Sequence, residues 1–149
     1  MDAQTKALAK PLADLYAKAP ALPDNIREVL VKIAPWLSLI FGVLTVLTGI
    51  AALGLFTAFS PFAAAYGGLG YSAFTMVYAV IVIVEGVVMV IAFSPLKARK
   101  VRGWNLLFWT EILAIISSVV TLNVGSVVGA LIGAAIAFYI LFQMRSYYN

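Results

Sequence analysis

Four long apolar runs constrain this chain more than any other feature of its sequence. They cover residues 36–59, 71–93, 104–122 and 125–144. A helix needs about 20 apolar residues to cross a hydrocarbon core of about 30 Å, and each run is long enough to do so. Because lipid offers the backbone no hydrogen-bond partner, an apolar run that crosses it forms a helix. The sequence therefore predicts an all-α membrane protein built on a four-transmembrane-helix bundle.

Composition agrees with lipid as the solvent and excludes several kinds of chemistry. Of the 149 residues, 64% are hydrophobic and 11% are charged, whereas a soluble domain has about 25% charged residues. The chain has no cysteine and no histidine, which excludes disulfides and metal sites built on those residues. It also lacks a Walker-type phosphate loop, a dinucleotide-binding glycine pattern and a nucleophile elbow. We therefore expect no cofactor, no metal site and no enzymatic activity.

The basic residues predict the orientation of the chain. Four of the ten lie in the loop between the second and third runs, namely Lys97, Arg99, Lys100 and Arg102. The other six precede the first run or follow the last. Short loops rich in lysine and arginine stay in the cytoplasm, so we expect a multi-pass protein of the cell (inner) membrane with both termini cytoplasmic. The basic loop would then contact anionic lipid headgroups rather than nucleic acid.

The sequence divides into three parts, which are a cytoplasmic segment over residues 1–35, the bundle over residues 36–144 and a tail over residues 145–149. In the first part, four apolar residues share one helical face and three charged residues the opposite face: Ile26, Val29, Leu30 and Ile33, against Arg27, Glu28 and Lys32. This pattern predicts an amphipathic helix lying on the membrane interface. We expect Pro35 to break or kink that helix where the first span begins.

Two stripes of small residues mark where helices can approach closely. The fourth span carries Gly125, Gly129 and Gly133 at four-residue spacing, and the first span carries Gly42 and Gly49. Helices in lipid associate largely through such small-residue faces. The stripes indicate either packing within the bundle or an interface with another copy of the chain or a membrane partner protein.

Two glutamates interrupt the second and third spans. Glu85 and Glu111 are equally far along the chain from Ala98, in the middle of the basic loop, and so are Tyr78 and Ser118. An antiparallel hairpin would therefore bring each pair to one level, with the glutamates about 10–12 Å deep. The four side chains are candidates for a proton- or ion-binding seam.

The charge of these two glutamates could be accommodated in several ways. An ionised carboxylate facing lipid costs a few kcal/mol, so both should face protein or water. The two could share one proton, coordinate a cation with further oxygen ligands, or be neutralised by Arg102 or Arg145 reaching inward. In a further alternative each glutamate meets a different helix and the two never touch.

The last third of the chain resembles a known kind of protein. The run from "SPLKARKVRGWNLLFW" to "LIGAAIAFYILFQMRSYY" is similar to uncharacterised small bacterial integral membrane proteins with four predicted spans. The resemblance implies a bacterial membrane setting. It transfers no activity and no functional residue.

Three function classes follow from these features. The first is a structural, accessory or assembly subunit that needs only the bilayer and close-packing helix faces. The second is a proton- or cation-coupled transporter or channel that uses Glu85 and Glu111. The third is a membrane enzyme, for which the acidic pair would be the one source of acid–base chemistry and no nucleophile stands near it. We expect the first class.

Overall fold

A computed structural model describes residues 3–66, 68–121 and 123–149, and these are almost entirely helical. The helices are α1 (Ala3–Tyr16), α2 (Asp24–Tyr66), α3 (Gly68–Lys97), α4 (Val101–Val120) and α5 (Val124–Gln143), followed by a 3-10 turn over Arg145–Tyr147. By length and composition, α2 to α5 could each cross a membrane. The prediction of an all-α protein with four long apolar helices after a short N-terminal helix is confirmed.

The four long helices pack in chain order. α2 packs on α3, α3 on α4 and α4 on α5, while α1 lies against α5. The contact between α2 and α3 is the most extensive, and it is close because glycines lie in it. Gly42 and Gly49 of α2 face α3 so tightly that a Cβ at Gly49 would lie 2.5 Å from the Ile83 side chain. Small residues therefore join α2 to α3.

The N-terminal part of α2 differs from the prediction. The amphipathic stretch that was expected as a separate interfacial helix is continuous with the first span, and α2 runs through Pro35 without ending. A proline inside a helix removes one backbone hydrogen bond. Here Val31 and Ala34, just before it, are buried in the core, and this packing holds the helical path. The separate N-terminal helix is instead α1.

The length of α2 fixes how it sits against a bilayer. Its 43 residues make a helix about 65 Å long, about twice the thickness of a hydrocarbon core. One end or both must therefore extend beyond the lipid. The apolar face predicted for the first turns of α2 is buried at one residue only. Leu30 packs on the core, whereas Ile26, Val29 and Ile33 are exposed.

The core lies at the end of the bundle that carries both chain termini. Trp104 and Phe108 of α4 are completely buried and stack with ring centroids 5.6 Å apart. The Trp104 indole Nε1 donates to the Leu141 carbonyl of α5 at 2.7 Å. Burying such large aromatic rings stabilises the junction of α4 and α5.

The C-terminal tail closes over this core. The Asn149 amide donates to the Arg99 carbonyl at 3.0 Å, and the Val101 amide donates to the Asn149 carbonyl at 2.7 Å. Arg99 adopts a left-handed φ of 51°, which non-glycine residues rarely do. Tyr148 is buried, and this burial raises the pKa of its phenol to about 12, against a smaller lowering by Arg99. The C-terminal tail and the basic loop thus lie at the same end of the bundle.

Candidate intramembrane site

Glu85 and Glu111 occupy neighbouring helices in the middle of the bundle. Glu85 lies on α3 and Glu111 on α4, and both side chains are partly buried. The adjacent Gly86 turns towards α2, where a Cβ would lie 2.7 Å from the Gly42 carbonyl oxygen. The two carboxyl groups are within electrostatic range of each other. The two glutamates therefore interact electrostatically across α3 and α4, while the facing of their carboxyl groups stays a prediction.

Neither carboxyl group meets a basic side chain among the residues that the structure describes. The ion pairs there join Arg27 to Asp24 and Lys32 to Glu28, all outside the site. Arg145, which was expected to reach inward, donates to the Tyr148 carbonyl at 2.6 Å. Its guanidinium lies 5.3 Å from the centroid of the Trp104 ring.

The other arginine proposed as a neutralising partner is also elsewhere. Arg102 is exposed at the start of α4. Neutralisation of the glutamates by Arg102 or Arg145 is therefore wrong in this structure. Both arginines stay at the polar end of the bundle, where their charges keep contact with water or headgroups.

Glu111 also lines a cavity of about 300 Å³ that lies between α2 and α5. The remaining walls are almost wholly apolar and include Leu37, Phe41 and Leu107. Ser38 is the other polar residue of the lining, but its hydroxyl donates to the Met89 carbonyl. Within this cavity the Glu111 carboxyl is thus the group able to bind a polar ligand.

The other two residues of the predicted seam, Ser118 and Tyr78, offer less to a bound proton or ion. Ser118 is buried, and its hydroxyl donates to the Ile115 carbonyl of its own helix at 2.7 Å. The hydroxyl hydrogen of Ser118 is therefore committed to its own helix and is not available to a ligand. Tyr78 is partly buried on α3. In the described part of the chain, no group of three or more acidic, histidine or cysteine side chains could hold a metal ion.

The glycines of α5 do not pack within this chain. A Cβ added to Gly129 or Gly133 would have no neighbour within 4 Å among the described residues, and one on Gly125 would meet the nearby Asn123 side chain at 3.1 Å. The interpretation of this stripe as internal packing is therefore wrong. The physical reason is that α5 turns its aromatic residues, such as Phe138, towards α4. The glycines are left on the outer face.

The basic loop is exposed at the end of the bundle. The side chains of Lys97, Arg99, Lys100 and Arg102 are all accessible. The Lys97 Nζ lies 5.6 Å from the centroid of the Trp36 ring. A lysine above an interfacial tryptophan is typical of the polar boundary of a membrane protein.

Sequence reasoning missed the cavity beside Glu111. Most of its walls come from α2 and α5, which are far apart in the chain, and its apolar residues resemble those of the rest of the spans. The one signal was Ser38, a polar residue near the start of the first apolar run. Nothing in the periodicity shows that α2 and α5 leave a gap between them.

Comparison with known proteins finds no matching family model, no matching curated relative and no matching solved structure. The four long apolar helices support a four-span membrane protein, whereas the bacterial setting implied by the resemblance stays a prediction. The helices that could span a membrane imply contact with a lipid bilayer.

Proposed function

We propose that this protein is a non-enzymatic accessory or assembly subunit of a cell (inner) membrane, with both termini cytoplasmic, that pairs with another copy of itself through α5. The observation that carries the proposal is the outward-facing stripe of Gly125, Gly129 and Gly133. A Cβ built on Gly129 or Gly133 would have no neighbour within 4 Å among the described residues outside the local backbone of α5.

The energetics of the stripe favour a helix partner over lipid alone. Each glycine in a helix costs about 1 kcal/mol relative to alanine. A stripe that contacts only lipid recovers none of that cost, whereas a second helix at close distance gains van der Waals contact along the whole face.

The packing of the long helices leaves α5 available. α5 contacts α4 on one side, with slight contact to α1. On other sides it presents exposed apolar residues, among them Val128, Ile132 and Ile136. A second α5 placed antiparallel or parallel along the glycine face would bury this surface without displacing any internal contact.

Association of two copies tests the proposal. Purified protein labelled with donor and acceptor dyes and reconstituted in liposomes should show energy transfer that falls when unlabelled protein competes. Gly129→Leu should weaken association at least tenfold, because the larger side chain separates the backbones. The same change at Val127, which lies two residues before Gly129 on the opposite side of α5, should have a milder effect. Equal association of Gly129→Leu and the wild type would contradict the proposal.

A second candidate function rests on the glutamate pair. Glu85 and Glu111 lie within electrostatic range, and no basic residue of the described chain pairs with them. Two unpaired carboxylates in lipid are costly, so binding a proton or a cation would stabilise the pair. The function that follows is proton- or cation-coupled transport.

Liposome flux separates the two candidates. A coupled transporter should carry protons or sodium ions across a liposome membrane, and Glu85→Gln or Glu111→Gln should each abolish the flux. Glu28→Gln, which alters an exposed glutamate of α2, should not. An accessory subunit should show no flux in any form and should tolerate both glutamine changes, because neither carboxyl has an ion-pair partner to lose.

A further inference from the structure

A basic pocket lies at the end of the bundle that carries the termini. It has a volume of about 510 Å³ and opens between α1, the start of α2 and the end of α5. Its polar lining consists of Arg27, Gln143, Arg145 and Ser146, together with the ring of Tyr16. We call this set the basic pocket. It shares no lining residue with the cavity beside Glu111.

The walls of the basic pocket are fixed by contacts between distant parts of the chain. The Tyr16 hydroxyl donates to the Ala135 carbonyl at 3.0 Å, and its ring stacks on Phe142 with centroids 5.6 Å apart. The Tyr139 hydroxyl donates to the Pro20 carbonyl at 2.7 Å. These contacts hold α1 and the segment after it against α5, so the pocket is part of the folded structure.

The linker to α2 is held at the same place. The Leu22 amide donates to the Gln143 side-chain oxygen at 3.3 Å, and the Gln143 amide group donates to the Pro20 carbonyl at 3.3 Å. Gln143 therefore bridges α5 and the linker. It links the region of Arg27, in the first turn of α2, to that of Arg145, which follows α5.

The two arginines keep donors that the described residues do not use. The Arg27 Nε is buried and has no hydrogen-bond partner there, although another nitrogen of the same guanidinium pairs with Asp24. Arg145 uses one nitrogen for the Tyr148 carbonyl. A guanidinium offers five N–H donors, and a buried charged donor without an acceptor costs free energy. An anion in the pocket would supply the acceptors.

The charges near the pocket favour that anion. Arg27 and Arg145 contribute two positive charges, and the one carboxylate paired with either is Asp24, whose side chain is 84% exposed. Planar guanidinium groups match the oxygen geometry of phosphate. Apolar walls, including Phe142 and Ala13, lie beside the charged end and suit a glycerol or acyl group.

We propose that the basic pocket binds the phosphate group of an anionic phospholipid. The pocket lies at the end of α5, a helix long enough to span a membrane, and lipid headgroups lie at the ends of such spans. Arg27 and Arg145 hold the phosphate between α2 and α5, while Phe142 contacts the apolar part of the lipid. This inference does not depend on the proposed assembly function.

Binding to delipidated protein in neutral detergent tests the proposal. The probes are short-chain phosphatidylglycerol, phosphatidylcholine of equal chain length and inorganic phosphate, with complexes resolved by native mass spectrometry. Phosphatidylglycerol should bind at least tenfold more tightly than phosphatidylcholine. Arg27→Gln should remove that preference, and Asp24→Asn should increase it, because it releases the Arg27 guanidinium from its carboxylate.

The controls replace other arginines by glutamine, so that each variant loses one positive charge, as Arg27→Gln does. Arg102→Gln alters an exposed arginine outside the pocket and should keep the preference for phosphatidylglycerol. Arg145→Gln should also remove it, but this residue additionally contacts Trp104 and Tyr148, so Arg27→Gln is the decisive variant.

The binding results distinguish a lipid from a free phosphate as the occupant of the basic pocket. Arginine-dependent binding of phosphatidylglycerol without binding of inorganic phosphate supports the lipid. Arginine-dependent binding of inorganic phosphate at equal strength supports a phosphate site but overturns the lipid as its occupant. Equal binding of both lipids, or equal losses in Arg27→Gln and Arg102→Gln, overturns the proposal.

Discussion

Gly42 of α2 and Gly86 of α3 are in mutual backbone contact. A Cβ on Gly42 would lie 2.9 Å from the Gly86 carbonyl oxygen, and a Cβ on Gly86 would lie 2.7 Å from the Gly42 carbonyl oxygen. Both separations are shorter than side-chain carbons tolerate, so neither position accepts a side chain unless the helices move apart. The pair sets the distance between α2 and α3 immediately beside Glu85.

Gly86→Ala should therefore destabilise the fold by about 1–3 kcal/mol, the usual cost of overpacking. The matched control is Gly54→Ala in α2, where a Cβ would have no described neighbour within 4 Å. That change should be neutral or stabilising by up to about 1 kcal/mol, because alanine favours the helix. Denaturant unfolding in micelles measures both, and equal stability of the two variants would contradict the close contact.

Tyr148 should make stability fall at high pH. Its pKa is raised from about 10 in the unfolded chain to about 12 in the fold, so the fold favours the neutral phenol. Below pH 10 the phenol is neutral in both the folded and the unfolded chain, and the free energy of unfolding then has its full value. As pH rises from 10 to 12 the unfolded chain ionises first, and stability is lost.

Tyr148→Phe isolates this effect. The Tyr148 hydroxyl is buried and has no hydrogen-bond partner among the described residues, so replacing it with hydrogen should be neutral or stabilising at pH 8. Thermal unfolding from pH 8 to pH 12 should show a shallower decline for Tyr148→Phe than for the wild type. Parallel curves would show that the phenol is not responsible.

The docking of α1 should depend on Thr5. The Trp109 indole Nε1 donates to the Thr5 hydroxyl at 3.1 Å, and Thr5 is completely buried. Thr5→Val keeps the shape but leaves the indole donor without its acceptor, which costs about 1–3 kcal/mol. Limited proteolysis of residues 17–23 should become faster.

Thr48→Val is the matched control for α1 docking. Thr48 is exposed, and its hydroxyl bonds to the Leu44 carbonyl of its own helix. Cleavage of residues 17–23 should match the wild type in that variant. If Thr5→Val also cleaves at the wild-type rate, α1 does not depend on the Trp109 contact.

The orientation in the membrane is a further prediction. All ten basic residues precede the first span, follow the last or lie between the second and third, so these regions should be cytoplasmic. Reporter fusions after Asn149 and at Ala98 should report the cytoplasm, and a fusion inserted after Thr121 should report the opposite side. The same side for all three would refute four spans.

The spans, and the expectation that Glu85 and Glu111 lie at one level, follow from the sequence because they depend on local quantities. Length and apolar composition identify a helix that crosses lipid, and equal distances from Ala98 place two residues at one level of a hairpin. Neither step requires knowledge of how the hairpins pack together.

The remaining features depend on contacts between distant residues. Pro35 predicts a break or a kink because a helix loses a hydrogen bond there, but α2 does not end at this residue, where Val31 and Ala34 are buried in the core. The stripe at Gly129 predicts close approach without indicating which helix approaches. The cavity beside Glu111 exists because α2 and α5 do not pack extensively on each other, and no periodicity encodes a gap.

The position of α1 sets an order on biosynthesis. Successive long helices pack on their neighbours, so each hairpin can form soon after its second helix leaves the ribosome. α1 precedes the four long helices in the chain, yet its partners are Trp109 of α4 and Ala135 and Tyr139 of α5. α1 is therefore synthesised before these partners, and it reaches its final place only after the last span has been made.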